Sequence, residues 1–121
     1  MIIAHIEDSA FDLNLFRELS EEVGLKVIQF PTMRDFQASK SKFDVIFADL
    51  NLPDCYQAEV VDELEGEAPF YILSGLGNKN VEDMSKTYKA LGAEDFFSKD
   101  EFFNGLGRLV LKHLKGGIDG V

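Results

Sequence analysis

Residues 45–53, with the sequence VIFADLNLP, decide the fold of this chain. The first four are apolar and are either β-branched, aromatic or small, which is typical of a buried parallel strand. Asp49 follows this run directly, and Pro53 stops any continuation of the strand. The stretch therefore predicts a central strand of a sheet with a carboxylate at its end.

Three other mostly apolar runs also end in polar groups, which are Glu7 with Asp8, Ser74, and Lys99. In an open parallel sheet the carboxyl ends of the strands converge on one crevice. We therefore expect three carboxylates, a hydroxyl and an ammonium to meet at one edge. Because Mg²⁺ prefers oxygen ligands, the sequence predicts a magnesium site beside a nucleophilic carboxylate, that of Asp49.

Strand and helix patterns alternate five times along the chain. The strands are predicted at residues 2–6, 26–30, 44–48, 70–73 and 95–98. A helix follows each strand, and five such units with right-handed crossovers predict an α/β fold. The expected architecture is a three-layer, flavodoxin-like (βα)5 sandwich with a parallel five-stranded sheet of order 2-1-3-4-5. Residues 1–115 are expected to form one domain, and residues 116–121 a C-terminal tail.

Apolar spacing and capping residues predict the details of the helices. The spacing puts Phe11 on the buried stripe of the first helix and Leu109 on that of the fifth. Asp100 is predicted to cap the fifth helix, which should run over residues 101–114. Gly105 and Gly107 lie inside it, although a glycine within a helix costs about 1 kcal/mol relative to alanine. The sequence offers no reason for either glycine.

Composition excludes several classes of function. The chain has 121 residues, of which 22 are acidic and 12 basic, and its formal net charge is −10. Such a surface repels nucleic acid, and no basic stripe is visible. No run approaches the roughly 18 apolar residues that a membrane span needs, and no secretory leader is recognised. The single cysteine, Cys55, cannot form an internal disulfide, which suits a reducing compartment. From these features together we expect a cytoplasmic protein without membrane partners.

Taken together, these pieces resemble a response-regulator receiver domain of bacterial two-component signalling. The resemblance spans residues 2–114 and rests on IEDS at 6–9, DLNLP at 49–53, SG at 74–75 and FFSK at 96–99. It implies a stand-alone receiver domain that takes a phosphoryl group from a histidine kinase or histidine phosphotransfer protein. Such a domain is a signalling element rather than an enzyme, and it acts as a monomer or a phosphorylation-dependent dimer. It would signal to a downstream protein target through its fourth helix, fifth strand and fifth helix.

The resemblance also implies a role for each polar group. Asp49 resembles the phosphoacceptor, and Lys99 resembles the lysine that accompanies it. Glu7 and Asp8 resemble the acidic pair that holds Mg²⁺, and the backbone carbonyl of Asn51 stands where the family supplies another ligand. Because glutamate is longer than the aspartate common at its position, we expect Glu7 to act through a metal-bound water, with Asp8 and Asp49 bound directly.

Two further residues resemble the parts of a conformational switch. Ser74 matches the hydroxyl that donates a hydrogen bond to the phosphoryl group, and Phe96 matches the switch aromatic. Movement of Ser74 would open space at the edge of the fourth strand, and Phe96 would turn inward to fill it.

The chain departs from the family pattern in three places. Asp100 follows Lys99 where receivers usually have a proline on a cis peptide, so we expect a trans peptide here. Gln57 or a neighbour stands where a glycine is usual, which predicts a reshaped loop after Asp49. The loop at residues 75–80 looks long and is predicted to form a larger lid over the site.

Two alternatives stay open, and the Lys99–Asp100 junction and the altered Asp49 loop motivate the first of them. One is a receiver-like protein-interaction domain that works without phosphorylation. The other is an aspartate-nucleophile phosphatase, which is disfavoured because Asn51 stands where that family has a second aspartate. His5 is interpreted as a buried histidine with its hydrogen bonds satisfied rather than a ligand or phosphodonor.

Overall fold

The computed structural model describes residues 1–75 and 80–119. Its strands are β1 (Ile2–Ile6), β2 (Lys26–Phe30), β3 (Val45–Ala48), β4 (Phe70–Ser74) and β5 (Asp95–Ser98). All neighbouring strands pair in parallel, and their order in the sheet is β2-β1-β3-β4-β5. The predicted flavodoxin-like sheet is therefore confirmed. The reversal of strand order between β1 and β3 places the crevice beside the ends of these two strands.

The helices follow the strands as predicted, except at the end of the chain. The first four are α1 (Ala10–Val23), α2 (Met33–Ala38), α3 (Ala58–Leu64) and α4 (Val81–Ala90). After β5 come α5 (Lys99–Glu101), a π-helical turn (Phe102–Leu106) and α6 (Gly107–Asp119). Within the described ranges, no helix combines the length and the apolar character needed to cross a membrane.

The predicted continuous fifth helix is wrong, because the helix is interrupted at Gly105. Asn104 and Gly105 leave helical geometry, and Gly105 has a φ of 124°, a conformation that strongly favours glycine. Gly107 lies against the ring of Phe102, where an added Cβ would come within 2.6 Å of a ring carbon. The helix also continues to Asp119, five residues beyond the predicted end at Leu114.

Hydroxyl side chains cap the helices that border the crevice. Ser9 caps α1, and its Oγ accepts a hydrogen bond from the backbone N–H of Asp12 at 3.4 Å. The prediction that Asp100 caps the helix after β5 is wrong. Ser98 takes that position, and its Oγ accepts from the backbone N–H of Glu101 at 3.2 Å. Lys99 is consequently the first residue of α5, directly at the end of β5.

Two apolar clusters cover the two faces of the sheet. One packs the sheet against α2, α3 and α4, and the other packs it against α1, the π-helical turn and α6. Phe11 and Leu109 were both predicted to be buried, but they are 71% and 65% exposed. Phe16 occupies the buried face of α1, and a separation of five residues turns Phe11 away from it by about 140°. Leu111 is buried in α6, so Leu109 lies on the opposite side.

The loop between β3 and α3 is held by an isolated antiparallel bridge between Asn51 and Tyr56. Gln57 follows with a φ of 55°, a value that residues other than glycine rarely adopt. The predicted reshaping of this loop thus takes the form of a glutamine held in a glycine-like conformation. No cis peptide occurs in the described segments, which agrees with the predicted trans Lys99–Asp100 bond. The predicted lid at residues 75–80 lies largely outside the described residues.

Candidate functional site

The side chain of Lys99 lies at the centre of the polar edge of the sheet. Its Nζ is 2.7 Å from Oε1 of Glu7, 2.8 Å from Oδ2 of Asp12 and 3.1 Å from Oδ2 of Asp49. The lysine side chain is only 18% exposed, so these charge-assisted hydrogen bonds are shielded from bulk water. The structure therefore brings together the ends of β1, β3 and β5, as the sequence predicted.

The start of α1 fixes the position of Glu7. Its backbone N–H donates to the carbonyl of Phe30 at 2.9 Å, which ties the end of β1 to the end of β2. Its Oε2 accepts hydrogen bonds from the backbone N–H groups of Asp8 and Ser9, at 3.0 and 3.2 Å. With the other oxygen on Lys99, both carboxylate oxygens of this buried residue are bound. Glu7 is thus held rigidly at the floor of the crevice.

Asp49 is almost fully buried at the end of β3, with 5% exposure. Its backbone N–H donates to the carbonyl of Ile6 at 3.1 Å, which continues the ladder between β3 and β1. One side-chain oxygen contacts Lys99, and the other accepts from the backbone N–H of Asn51 at 3.3 Å. Asn51 itself is exposed and lies on the loop that leaves the site.

Three carboxylates form a cluster able to hold a cation. Ligand oxygens of Glu7, Asp8 and Asp49 all lie within 4.8 Å of one another, with Asp8 exposed and the other two buried. Two oxygens bound to one Mg²⁺ lie up to about 4.2 Å apart, so small side-chain movements would close the set. An oxygen-only donor set with an open, water-facing side fits a magnesium-type cation. Such an ion would also relieve the repulsion among the carboxylates.

Burial and the neighbouring charges together shift the pKa of two groups of the site, Glu7 and Lys99. Burial raises the pKa of Glu7 to about 7, even though its hydrogen bond to Lys99 acts in the opposite direction. Burial alone lowers the pKa of Lys99, but its hydrogen bonds to Asp12 and Glu7 and the charge of Asp49 outweigh this and raise it above the ordinary value. Lys99 is therefore a permanent cation, and its charge balances only part of the acidic cluster.

The two predicted switch residues lie on the neighbouring strands β4 and β5. Ser74 is buried at the end of β4, where its Oγ donates to the carbonyl of Gly75 at 3.3 Å. Phe96 in β5 is 2% exposed and stacks on Tyr88 of α4, with 5.6 Å between the ring centroids. The ring of Phe96 is therefore already inside the core in this conformation.

His5 lies in β1, two residues before Glu7. The ring is buried and stacks on Phe16 at 3.9 Å, and its Nδ1 lies 3.1 Å from Nε2 of Gln29. Burial, with a smaller effect from the charge of Lys99, lowers the pKa of His5 to about 3. A neutral, stacked and hydrogen-bonded ring agrees with the interpretation of His5 as a structural residue.

Asp12 belongs to the site, and the sequence did not predict it. It lies in the first turn of α1, where an acidic residue is explained by the helix dipole alone. The available signal was its place three residues after the capping Ser9, in the helix turn that begins directly beside Glu7 and Asp8.

Comparison with known proteins identifies the fold. No family model and no curated protein matches the chain. Response regulator DrrB of Thermotoga maritima, an OmpR/PhoB homolog, has a TM-score of 0.73 at 24% identity, with 98% of this chain and 52% of DrrB covered. The receiver domain of a signal transduction histidine kinase from Syntrophus aciditrophicus has a TM-score of 0.75 at 22% identity, and the match covers 99% of this chain and 93% of that domain. The Mn(2+)-bound form of response regulator Rcp1 has a TM-score of 0.72 at 19% identity, with 99% and 96% covered.

These likenesses show that the chain has the fold of a response-regulator receiver domain. It spans about half the length of DrrB and nearly all of the other two structures. The resemblance stated from the sequence is confirmed at this level.

Proposed function

We propose that the protein is a receiver domain that accepts a phosphoryl group on Asp49 in a magnesium-dependent reaction. The observation that carries this proposal is the Lys99 ammonium, which lies 3.1 Å from Oδ2 of Asp49 inside a cluster of carboxylates. Histidine kinases or histidine phosphotransfer proteins are the proposed donors. The receiver fold and the agreement of the four sequence motifs with the site support this choice.

In the proposed reaction, a side-chain oxygen of Asp49 attacks the phosphorus of the donor. A new bond forms between this oxygen and phosphorus, and the bond from phosphorus to the leaving group breaks. The leaving group departs with that electron pair, and the product is an acyl phosphate on Asp49. Catalysis of this kind depends chiefly on positioning and on neutralising the charge of the phosphoryl oxygens.

The residues of the site divide this task. Asp8 and Asp49 would bind the cation directly, Glu7 through a water, and the backbone carbonyl of Asn51 would complete the protein ligands. Mg²⁺, when bound, supplies positive charge against the phosphoryl oxygens. Lys99 would add the charge of its ammonium. Its contact with Asp49 already places it beside the carboxylate that would carry the phosphoryl group.

We further propose that the acyl phosphate is read through α4, β5 and the helix that follows. A phosphoryl group adds nearly two negative charges and strong acceptors, and Ser74 would turn from Gly75 to donate to it. Since Phe96 is already buried against Tyr88, the switch would act by changing this packing rather than by inserting an exposed ring. A protein target or a second copy of the chain would sense the changed face.

The proposal is tested by incubating the protein with Mg²⁺ and acetyl phosphate and measuring the intact mass. We expect the wild type to gain one phosphoryl group and Asp49→Asn to gain none. Removal of Mg²⁺ with a chelator should abolish the gain. Absence of uptake from acetyl phosphate and from phosphorylated histidine proteins, together with no affinity for Mg²⁺, would favour an interaction domain that works without phosphorylation. Continuous release of phosphate from an added phosphate ester would favour the phosphatase instead.

A further inference from the structure

Asp12 holds Lys99 at least as closely as the proposed phosphoacceptor does. Its Oδ2 is 2.8 Å from Nζ of Lys99, compared with 3.1 Å for Oδ2 of Asp49. The Asp12 side chain is 17% exposed, so the pair is partly shielded from solvent screening. Asp12 lies outside the four motifs that carry the receiver resemblance, and the proposed reaction gives it no role.

The ammonium of Lys99 has no hydrogen left for a further acceptor. A lysine carries three N–H donors, and three carboxylates lie within hydrogen-bond distance of Nζ. A phosphoryl oxygen on Asp49 would therefore compete with these carboxylates for the N–H groups of Lys99.

Asp12 is the carboxylate best placed to be released. Glu7 is 1% exposed and binds two backbone N–H groups, so its position is fixed. Asp49 becomes the phosphorylated group itself. Of the three carboxylates that contact Lys99, Asp12 is the one outside the cluster formed by Glu7, Asp8 and Asp49. Its side chain is partly exposed, so water can solvate it after release.

Resting on the proposed function, we propose that Asp12 competes with the phosphoryl group on Asp49 for the ammonium of Lys99 and so slows phosphorylation. Asp12 touches no reacting atom and is a positioning residue that acts through Lys99. Its negative charge holds the ammonium beside α1, so that Asp49 and any group on it share the ammonium with Asp12.

The test compares Asp12→Asn with the wild type at limiting acetyl phosphate and saturating Mg²⁺. Asparagine keeps the size and one hydrogen-bond acceptor but removes the charge, so the ammonium is held less tightly. We expect the rate of phosphate uptake to rise about fivefold, which corresponds to about 1 kcal/mol. Asp12→Glu keeps the charge and should keep a rate near that of the wild type.

Asp35→Asn is the matched control for the helix itself. Asp35 occupies the same position in α2, and its backbone N–H donates to the capping Oγ1 of Thr32 at 3.0 Å, as that of Asp12 does to Ser9. In the described part of the chain Asp35 forms no ion pair, so its replacement should leave the rate unchanged. Thermal unfolding of each variant verifies that it is folded at the assay temperature.

Asp12→Asn in a Lys99→Gln background shows whether Asp12 acts through the lysine. We expect the gain from Asp12→Asn to vanish there, because no ammonium is left to compete for. If the rate of phosphate uptake still rises in the Lys99→Gln background, the charge of Asp12 repels the phosphoryl donor directly, and the inference is overturned. An unchanged or lower rate for Asp12→Asn alone, beside a phosphorylated wild type, would also overturn it while leaving the proposed function intact. A wild type that takes up no phosphate overturns both.

Discussion

The ammonium of Lys99 and the carboxylate of Asp49 are 3.1 Å apart, although 50 positions separate them in the chain. The junction after Lys99 lacks the proline that receivers usually have, yet the side chain still reaches inward. Ser98 caps α5, so Lys99 starts a helix at the end of a strand and its side chain is directed over the crevice. Capping by a serine thus places the lysine without a cis peptide.

Replacing Asp8 with asparagine should weaken Mg²⁺ binding about tenfold or more, because a direct carboxylate ligand becomes neutral. Asp8 is the exposed member of the acidic cluster, so the change should leave the fold intact. Isothermal titration with MgCl₂ measures the effect. Asp83→Asn, at another exposed position, should bind Mg²⁺ as the wild type does. Equal affinities for Asp8→Asn and the wild type would exclude Asp8 as a ligand.

Replacing Ser74 with alanine should leave phosphate uptake largely intact but weaken the conformational response. The hydroxyl donates to the carbonyl of Gly75 in this conformation, so its loss removes a donor needed after phosphorylation. The intact mass reports uptake, and amide exchange in α4 and β5 reports the response. Ser74→Thr keeps the hydroxyl and should respond as the wild type. An identical response of the alanine variant would count against the switch role.

Replacing Gly107 with alanine should destabilise the protein by about 2–3 kcal/mol, because the new Cβ would overlap the ring and carbonyl of Phe102. Gly116 lies in the same helix with nothing within 4 Å of an added Cβ. Gly116→Ala should therefore be neutral or stabilising by up to about 1 kcal/mol. Urea unfolding of both variants measures the difference. Similar effects at both positions would show that the contact of Gly107 with Phe102 is unimportant.

Replacing Gln57 with glycine should stabilise the fold, whereas replacing it with alanine should not. Its φ of 55° carries strain of about 1–3 kcal/mol for a residue with a Cβ, and glycine relieves most of it. The side-chain bonds to Asn51 and Tyr88 are long, at 3.3 and 3.4 Å, so little is lost with them. We expect the glycine variant to exceed the alanine variant by about 1 kcal/mol in thermal or urea unfolding. An alanine variant more stable than the glycine variant would show that the backbone of Gln57 is not strained.

Acid should destabilise the wild type through His5. The pKa of His5 is lowered from 6.5 to about 3 in the fold, so between these values the unfolded chain binds the extra proton. Stability therefore falls as the pH drops below 6.5, by up to about 1.4 kcal/mol per pH unit. Glu7 acts with the opposite sign, since its raised pKa lets the folded protein hold a proton up to about pH 7.

His5→Leu isolates this contribution, because Glu7 is present in both proteins. Urea unfolding in metal-free buffer at pH 6.5 and 5.0 should show that the wild type loses about 1.6 kcal/mol more of its free energy of unfolding than the variant does. Parallel losses would mean that His5 is protonated in the fold at pH 5.

The sequence predicted the sheet order and the meeting of its polar strand ends because both follow from local rules. Apolar runs bounded by turns define the strands, and right-handed crossovers then leave a few arrangements, of which the flavodoxin-like order is one. Asp12 was missed because a first-turn acid already has a local explanation, and only the fold reveals that Lys99 lies above it. The break at Gly105 was missed for a similar reason. A single glycine in an apolar helical pattern does not reveal whether its φ is positive, and the contact of Gly107 with the ring of Phe102 depends on tertiary packing rather than on helix propensity.

The amide of Gln29 also decides where the ring of His5 carries its hydrogen. Nε2 of Gln29 donates to the carbonyl of Leu13 at 2.7 Å, which fixes the orientation of the amide. The same nitrogen faces Nδ1 of His5, so Nδ1 must accept and the ring hydrogen must reside on Nε2. The imidazole is thereby locked as a single tautomer, one that nitrogen-15 chemical shifts would identify directly.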